Sequence, residues 1–215
     1  MNYQAVMFDL DGTLADTLGD IMAAANHAFT TMGQPAQTYE RFRYLAGQGL
    51  SRLFTDALPE AECERVEEYM QLFRAYYADH NMDTTSLYPG ISELLNAITS
   101  RKMKMAILTN KPDAAAHELT NKLMSQWDWD VVLGHREPYP VKPDPTSALA
   151  ICEQLDIAPE HWLYVGDTRV DMETARNAGM FAIGVLWGFR DEPELRESGA
   201  DMIVSDVQPI IEKLG

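Results

Sequence analysis

The spacing of apolar positions changes twice along the first half of the chain. Gln4–Phe8 is a short apolar run closed by an Asp/Gly turn, the pattern of a buried strand. Leu18, Ile21, Met22, Ala25, Phe29 and Met32 then follow helical spacing, and Gly33 supplies a stop. Residues 38–46 and 49–57 read as two short helices around Gly47-Gln48-Gly49. Val66, Tyr69, Met70, Phe73 and Tyr76 or Tyr77 mark one face of a longer helix. No strand signal occurs between Asp16 and Asp83, so this stretch is expected to be all-helical.

After Tyr88-Pro89-Gly90 the pattern alternates between helix and strand. Ile91, Leu94, Leu95 and Ile98 predict a helix, Lys104–Leu108 a strand, and 113–124 a helix. A short strand at Asp130–Leu133 and a helix over 145–156 come next. Strand Trp162–Val165, helix 169–178, strand Phe181–Leu186, a weak strand at Met202–Val204 and a final helix complete the chain. Strands separated by helices of this length predict an α/β fold with a doubly wound parallel sheet, which the first strand would join. The helical block is then an insertion after strand one. The expected division is a core of residues 1–15 and 86–215 and a cap of residues 16–85.

Composition narrows the partners. The net charge of −16 repels polyanions, so nucleic acid is not expected, although a local cation can still hold a small phosphate. The two cysteines, Cys63 and Cys152, have no metal-ligand spacing and suit a reduced, cytoplasmic setting. The first residues carry no basic n-region, and no window approaches the apolar length of a membrane span. Oligomeric state is not legible at this level.

The chemistry gathers at strand exits, where doubly wound sheets bind ligands. Strand one ends in Asp9-Leu10-Asp11-Gly12-Thr13, and the second core strand in Thr109-Asn110-Lys111. The third is followed by Lys142-Pro143-Asp144-Pro145, and the fourth by Gly166-Asp167-Thr168-Arg169-Val170-Asp171. Two carboxylates 4 Å apart repel by about 1 kcal/mol in water and about 4 at an effective dielectric of 20. Asp9, Asp11, Asp167 and Asp171 therefore need a cation. Hard oxygen donors without His or Cys suit Mg²⁺, which bridges carboxylate to phosphate, and Lys142 adds a second positive charge. Other readings stay open at two points: Thr109-Asn110 could cap a helix, and Asp171 could merely complement a helix dipole.

These four segments, in this order, resemble the motifs of the haloacid dehalogenase superfamily in its phosphatase branch, and the inserted helices resemble its cap. Asp16-Thr17, Gly47-Gln48-Gly49, Thr109-Asn110-Lys111-Pro112 and Gly184-Val185-Leu186-Trp187-Gly188 resemble the phosphoglycolate-phosphatase-like group. The resemblance implies that Asp9 attacks phosphorus to form an aspartyl-phosphate, and that Asp11 protonates the leaving alkoxide and then activates water. It implies a Mg²⁺ held by the Asp9 carboxylate, the Asp11 backbone carbonyl and Asp167, with Asp171 just behind. Thr109, Asn110, Lys142 and the backbone N–H groups near Gly12 and Thr13 would hold the phosphoryl oxygens of a small phosphorylated metabolite. A sugar-phosphate mutase of the same superfamily and a phospho-acceptor receiver domain are the alternatives. Arg41, Arg43 and Arg52, flanking Gly47-Gln48-Gly49, are candidates for holding a substrate carboxylate.

Overall fold

The computed structural model describes residues 3–215; residues 1 and 2 of the expected core segment lie outside it. Strand β1 (Ala5–Phe8) is followed by a tight turn and the two-residue strand β2 (Ala15–Asp16). Helices α1 (Leu18–Thr31), α2 (Tyr39–Leu45), α3 (Leu50–Ala57) and α4 (Val66–His80) come next, with a 3-10 turn at Glu60–Arg65. Strand β3 (Ser86–Leu87) then leads into α5 (Ile91–Ser100), β4 (Lys104–Pro112), α6 (Asp113–Met124) and β5 (Val131–His135). The remainder is α7 (Thr146–Leu155), β6 (Trp162–Gly166), α8 (Arg169–Ala178), β7 (Phe181–Val185), α9 (Glu192–Glu197), β8 (Met202–Val204) and α10 (Gln208–Lys213).

Six strands form a parallel sheet in the order β5-β4-β1-β6-β7-β8. The chain winds outward from β1 through β4 to β5, then crosses back to β6 on the other side. That reversal opens a crevice at the carboxyl ends of β1, β4 and β6. The period of two along each strand separates two apolar layers. Val6, Phe8, Ile107, Leu163 and Val165 face Leu94, Leu95, Ile98, Leu119 and Ile210 on one side. Ala5, Met7, Ala106, Leu108 and Tyr164 face Ile151, Met172, Ala175 and Leu195 on the other. Both faces of the sheet are covered, the usual condition of a parallel sheet.

Helices α1–α4 share a third apolar cluster centred on Phe29, Phe54, Tyr69 and Phe73, with ring centroids 5.3 to 6.2 Å apart. One member, Phe189, comes from the loop after β7 and inserts into this helical block. The block joins the sheet layer through the antiparallel β2–β3 ribbon, where Ala15 faces Leu87 and Asp16 faces Ser86. Beside it the buried Asp20 carboxylate accepts hydrogen bonds from the N–H and hydroxyl of Thr84 and Thr85, at 2.6 to 3.2 Å. Burial alone would raise this carboxyl, but those bonds outweigh it and hold Asp20 below the usual carboxylate range.

Three features depart from the expected elements. The β2–β3 ribbon is too short for any hydrophobic period to reveal it. Helix α9 is six residues of largely charged sequence and has the same problem. Strand β4 runs past Leu108 to Pro112, with a register shift between those residues. Thr109, Asn110 and Lys111 therefore sit in an irregular strand end, a device that re-aims side chains, and not at a helix cap. Helix α6 starts only at Asp113.

Candidate active site

Register determines which exits meet. Phe8 pairs with Ile107 on β4 and with Val165 on β6, so Asp9 emerges level with Leu108 and Gly166, one step short of Thr109 and Asp167. The Asp9 backbone N–H is anchored on the Val165 carbonyl at 2.9 Å. Lys142 arrives from the loop after β5 and is buried, with its Nζ 2.9 Å from Asp9 Oδ1 and 2.6 Å from Asp171 Oδ1. Its backbone is held by Asn110: the Lys142 N–H donates to Asn110 Oδ1 at 2.8 Å, and Asn110 Nδ2 donates to the Lys142 carbonyl at 3.3 Å.

Asp171 is fully buried and uses both oxygens. Oδ1 meets Lys142, and Oδ2 accepts from the Thr168 N–H at 3.0 Å and the Thr168 hydroxyl at 2.7 Å. It thus closes a capping box on α8 and anchors the lysine as well. Asp167, also fully buried, accepts from the Thr13 hydroxyl at 3.0 Å and the Phe189 N–H at 2.7 Å. Gly12, at φ +87°, and Gly188 pack their backbones against this carboxylate; a Cβ on either would collide with it.

The electrostatics show a deficit of positive charge. Burial pushes the Asp9 carboxyl up to about 7; Lys142 opposes this and Asp171 adds to it. Burial, with Asp171 and Asp9 nearby, drives Asp167 well above the usual carboxylate range. Burial alone would lower the Lys142 ammonium, yet Asp171 and Asp9 hold it protonated, well above the ordinary lysine value. Carboxylate oxygens of Asp9, Asp167 and Asp171 lie within 4.8 Å of one another. Three buried carboxylates, two of them sharing the one lysine, are all hard oxygen donors and fit a small divalent cation.

The second aspartate of strand one sits nearer the solvent. Asp11 Oδ1 meets Lys111 Nζ at 3.0 Å, and the same Nζ is 2.9 Å from the hydroxyl of Tyr77 on α4. The sequence alone assigns no role to Lys111, and Tyr77 reads there as part of an apolar helix face. A lysine three positions beyond the apolar run Met105–Leu108, at the end of the same strand, is the available signal. Arg190 and Phe189 were also missed. Arg190 donates to the carbonyls of Arg43, Tyr44 (3.0 Å) and Ala46 (2.9 Å), the C-terminal end of α2.

Several expected phosphate contacts have other duties here. The Gly12 N–H donates to Ala15 within the turn at 2.9 Å, and the Thr13 N–H points back to Leu10 at 3.4 Å. The Thr13 hydroxyl and Gly12 shape the seat of Asp167. Asn110 positions Lys142 and reaches Gly47 of the helical block at 3.5 Å. Thr109 accepts from the Lys111 N–H at 3.2 Å, which leaves its own hydroxyl proton free to donate. The arginines expected to meet a substrate carboxylate bind elsewhere: Arg41 to the Ala57 carbonyl, Arg43 to the Gly188 carbonyl, Arg52 to Asp56.

A cavity of about 360 Å³ lies over Asp9 and Asp11, between the sheet and the helical block. Thr109, Asn110 and Lys111 line it from below; Leu50, Leu53, Phe73 and Tyr77 line it from above. Arg41, Arg43 and Arg52 are not among its lining residues. No helix among the described residues is long and apolar enough to cross a membrane.

Residues 6–185 match the haloacid dehalogenase-like hydrolase family. A phosphoglycolate phosphatase of Chromobacterium violaceum is 32% identical over 209 residues, covering 95% of this chain and 93% of that one. The crystal structure of a provisional phosphoglycolate phosphatase from Lactobacillus delbrueckii subsp. bulgaricus superposes with a TM-score of 0.94 at 31% identity, covering 100% and 99%. A provisional β-phosphoglucomutase from Thermotoga maritima superposes at 0.75 with 26% identity, covering 98% of each chain.

Proposed function

Since the chain belongs to the haloacid dehalogenase-like hydrolases and is a phosphatase of that family, we propose that it hydrolyses a small organic phosphate monoester through an aspartyl-phosphate on Asp9, with Mg²⁺ as cofactor. Phosphoglycolate, for which the C. violaceum relative is named, is the reference ester. The observation that carries this reading is the placement of Lys142 at 2.9 Å from Asp9, beside the fully buried Asp167, which pairs with no cationic side chain among the described residues.

In this reading an Asp9 oxygen attacks phosphorus as the bond to the ester oxygen breaks, and Asp11 gives its proton to the departing alkoxide. Asp11 then takes a proton from the water that attacks the phosphoryl group, releasing inorganic phosphate and restoring Asp9. Lys142 favours the anionic, nucleophilic form of Asp9 against the effect of burial. Thr109 donates its hydroxyl to a phosphoryl oxygen. Lys111 holds Asp11 toward the cavity. Asp9, Asp167 and the Asp11 backbone carbonyl would hold Mg²⁺, since the Asp171 oxygens are committed to Lys142 and the α8 cap. When bound, the ion supplies charge neutralisation for the phosphoryl oxygens.

We place the boundaries of the cap at residues 16 and 85, where the β2–β3 ribbon and Asp20 join it to the core. The free thiols Cys63 and Cys152 support a cytoplasmic setting. The likeness to the T. maritima protein keeps a mutase as the second reading. The apolar cap wall, with few groups to meet sugar hydroxyls, weighs against it. Membership of the family and the helical insert exclude a receiver domain.

The test is phosphate release from a panel of esters by wild type and Asp9→Asn, with and without Mg²⁺. Wild type turns over many times, and only with the metal. Metal-dependent hydrolysis retained in Asp9→Asn would rule Asp9 out as nucleophile. Interconversion of hexose 1- and 6-phosphates without phosphate release would favour the mutase.

A further inference from the structure

Residues 187–190, in the loop after β7, take no part in the proposed chemistry but touch both the Asp167 seat and the helical block. Trp187 Nε1 donates to the Thr13 carbonyl at 2.9 Å, on the residue whose hydroxyl also bonds Asp167. The Gly188 backbone lies so close to Asp167 that a side chain there would collide with it. The Phe189 N–H donates to Asp167 Oδ2 at 2.7 Å, while its ring is buried in the apolar cluster of α1–α4. One residue thus spans the two.

Arg190 extends the link. It is buried and faces the C-terminal end of α2, where the last carbonyls have no partner within the helix. It donates to the carbonyls of Arg43, Tyr44 (3.0 Å) and Ala46 (2.9 Å), and its guanidinium lies 5.4 Å from the Tyr44 ring centroid. A cation there also complements the negative end of the helix dipole. Arg43 returns the contact by donating to the Gly188 carbonyl at 3.2 Å. Just past α2, Gly47 packs on Thr168, the chain neighbour of Asp167; a Cβ on Gly47 would lie 3.1 Å from the Thr168 methyl. Helix α2 is therefore docked on the residues that surround Asp167.

We propose that Arg190 is a positioning residue for the metal site: by gripping α2 it keeps the Phe189 N–H on Asp167, so that Mg²⁺ binding and docking of the helical block strengthen each other. This rests on the reading of Asp167 as a Mg²⁺ ligand and deepens it. Hydrogen bonds to a metal-binding carboxylate fix its direction, and loss of such a partner typically costs about 10–100-fold in metal affinity. Separation of α2 from Arg190 strips acceptors from a buried guanidinium, so the loop must shift to rehydrate it, and Phe189 shifts with it. The link acts equally in reverse, because a coupling between two binding equilibria is reciprocal.

The probe is Mg²⁺ alone, without substrate. Its Kd is measured by titration calorimetry on wild type, Arg190→Met, Arg190→Lys and Asp167→Asn, and amide exchange in α2 and α3 is followed with and without the ion. Arg190→Met is expected to weaken Mg²⁺ binding about tenfold, with part of the loss recovered in Arg190→Lys. With Mg²⁺ about tenfold above its Kd, an opening of α2 that loosens the site tenfold becomes about fivefold rarer. Exchange in α2 and α3 is expected to slow by that factor in wild type and to stay unchanged in Arg190→Met. Binding that Asp167→Asn abolishes, together with unaltered exchange in α2 and α3 of wild type, overturns this inference alone. An Arg190→Met Kd within about twofold of wild type does the same. Should Arg190→Met not fold, the exchange measured on wild type decides by itself. A wild type that binds no Mg²⁺, or an Asp167→Asn protein that binds it equally well, removes the Mg²⁺ site on Asp167 and this inference with it.

Discussion

The two walls of the cavity follow opposite physical rules. The sheet-side wall is a dense ionic lattice: Asp9, Lys142, Asp171 and Asp167 are each at most 5% exposed, and each is held by partners from distant segments. The cap-side wall is apolar and aromatic, supported by the ring cluster of α1, α3 and α4. A lattice of buried charges tolerates no change of type, because a removed partner leaves an uncompensated ion. An apolar wall tolerates substitution with modest cost as long as volume is kept. One wall therefore defines the reaction and the other can be retuned for the alcohol.

Breaking the ionic wall should give the largest effect. Lys142→Met removes the cation shared by Asp9 and Asp171, and a broken buried pair typically costs about 3–5 kcal/mol. Loss of activity by a factor of at least about 10³ and a large fall in the urea midpoint are expected, the latter partly restored by millimolar Mg²⁺. A midpoint within error of wild type would mean that the pairing contributes little. Next is the plug between the walls: Phe189→Ala empties a fully buried site in the cap cluster and is expected to cost about 3 kcal/mol in equilibrium unfolding.

The joint beneath the walls is expected to rank third. Asp20→Asn keeps the shape but removes the charge that accepts from Thr84 and Thr85, with an expected loss of about 2 kcal/mol at pH 7. The sign with pH follows from the depressed carboxyl. Its contribution is full above the unfolded value of about 3.9 and is lost as pH falls through the lower folded value. The stability gap between wild type and Asp20→Asn should therefore narrow below about pH 4 in urea titrations. The smallest effect is reserved for the surface. Arg52→Ala breaks an exposed pair with Asp56 away from the cavity, and kcat/KM for phosphoglycolate should stay within about twofold. A larger loss would return Arg52 to the site.

Much of this arrangement was legible along the chain because its signals are local. A short apolar run followed by Asp9-Leu10-Asp11-Gly12-Thr13 marks a buried strand and its exit, and the change to helical spacing at Leu18 marks the insertion. The parallel sheet follows from the alternation after Pro89, and Asp9, Lys142, Asp167 and Asp171 were singled out from strand exits alone. Helical spacing at Phe73 and Tyr77 identified an apolar face, but packing into a core and lining a cavity have the same periodicity.

The sequence by itself determined the order of the elements, the segments that end in reactive side chains and the need for a cation among them, since these depend on neighbours in the chain. Tertiary structure alone decided the pairings. Lys111 meets Asp11 across a separation of 100 residues, Asn110 grips the backbone of Lys142, and Arg43 turns to Gly188 and away from the cavity. Such choices are made by distance in space, where a buried polar group bonds whatever donor or acceptor the packed layers bring within about 3 Å, and no local pattern encodes that.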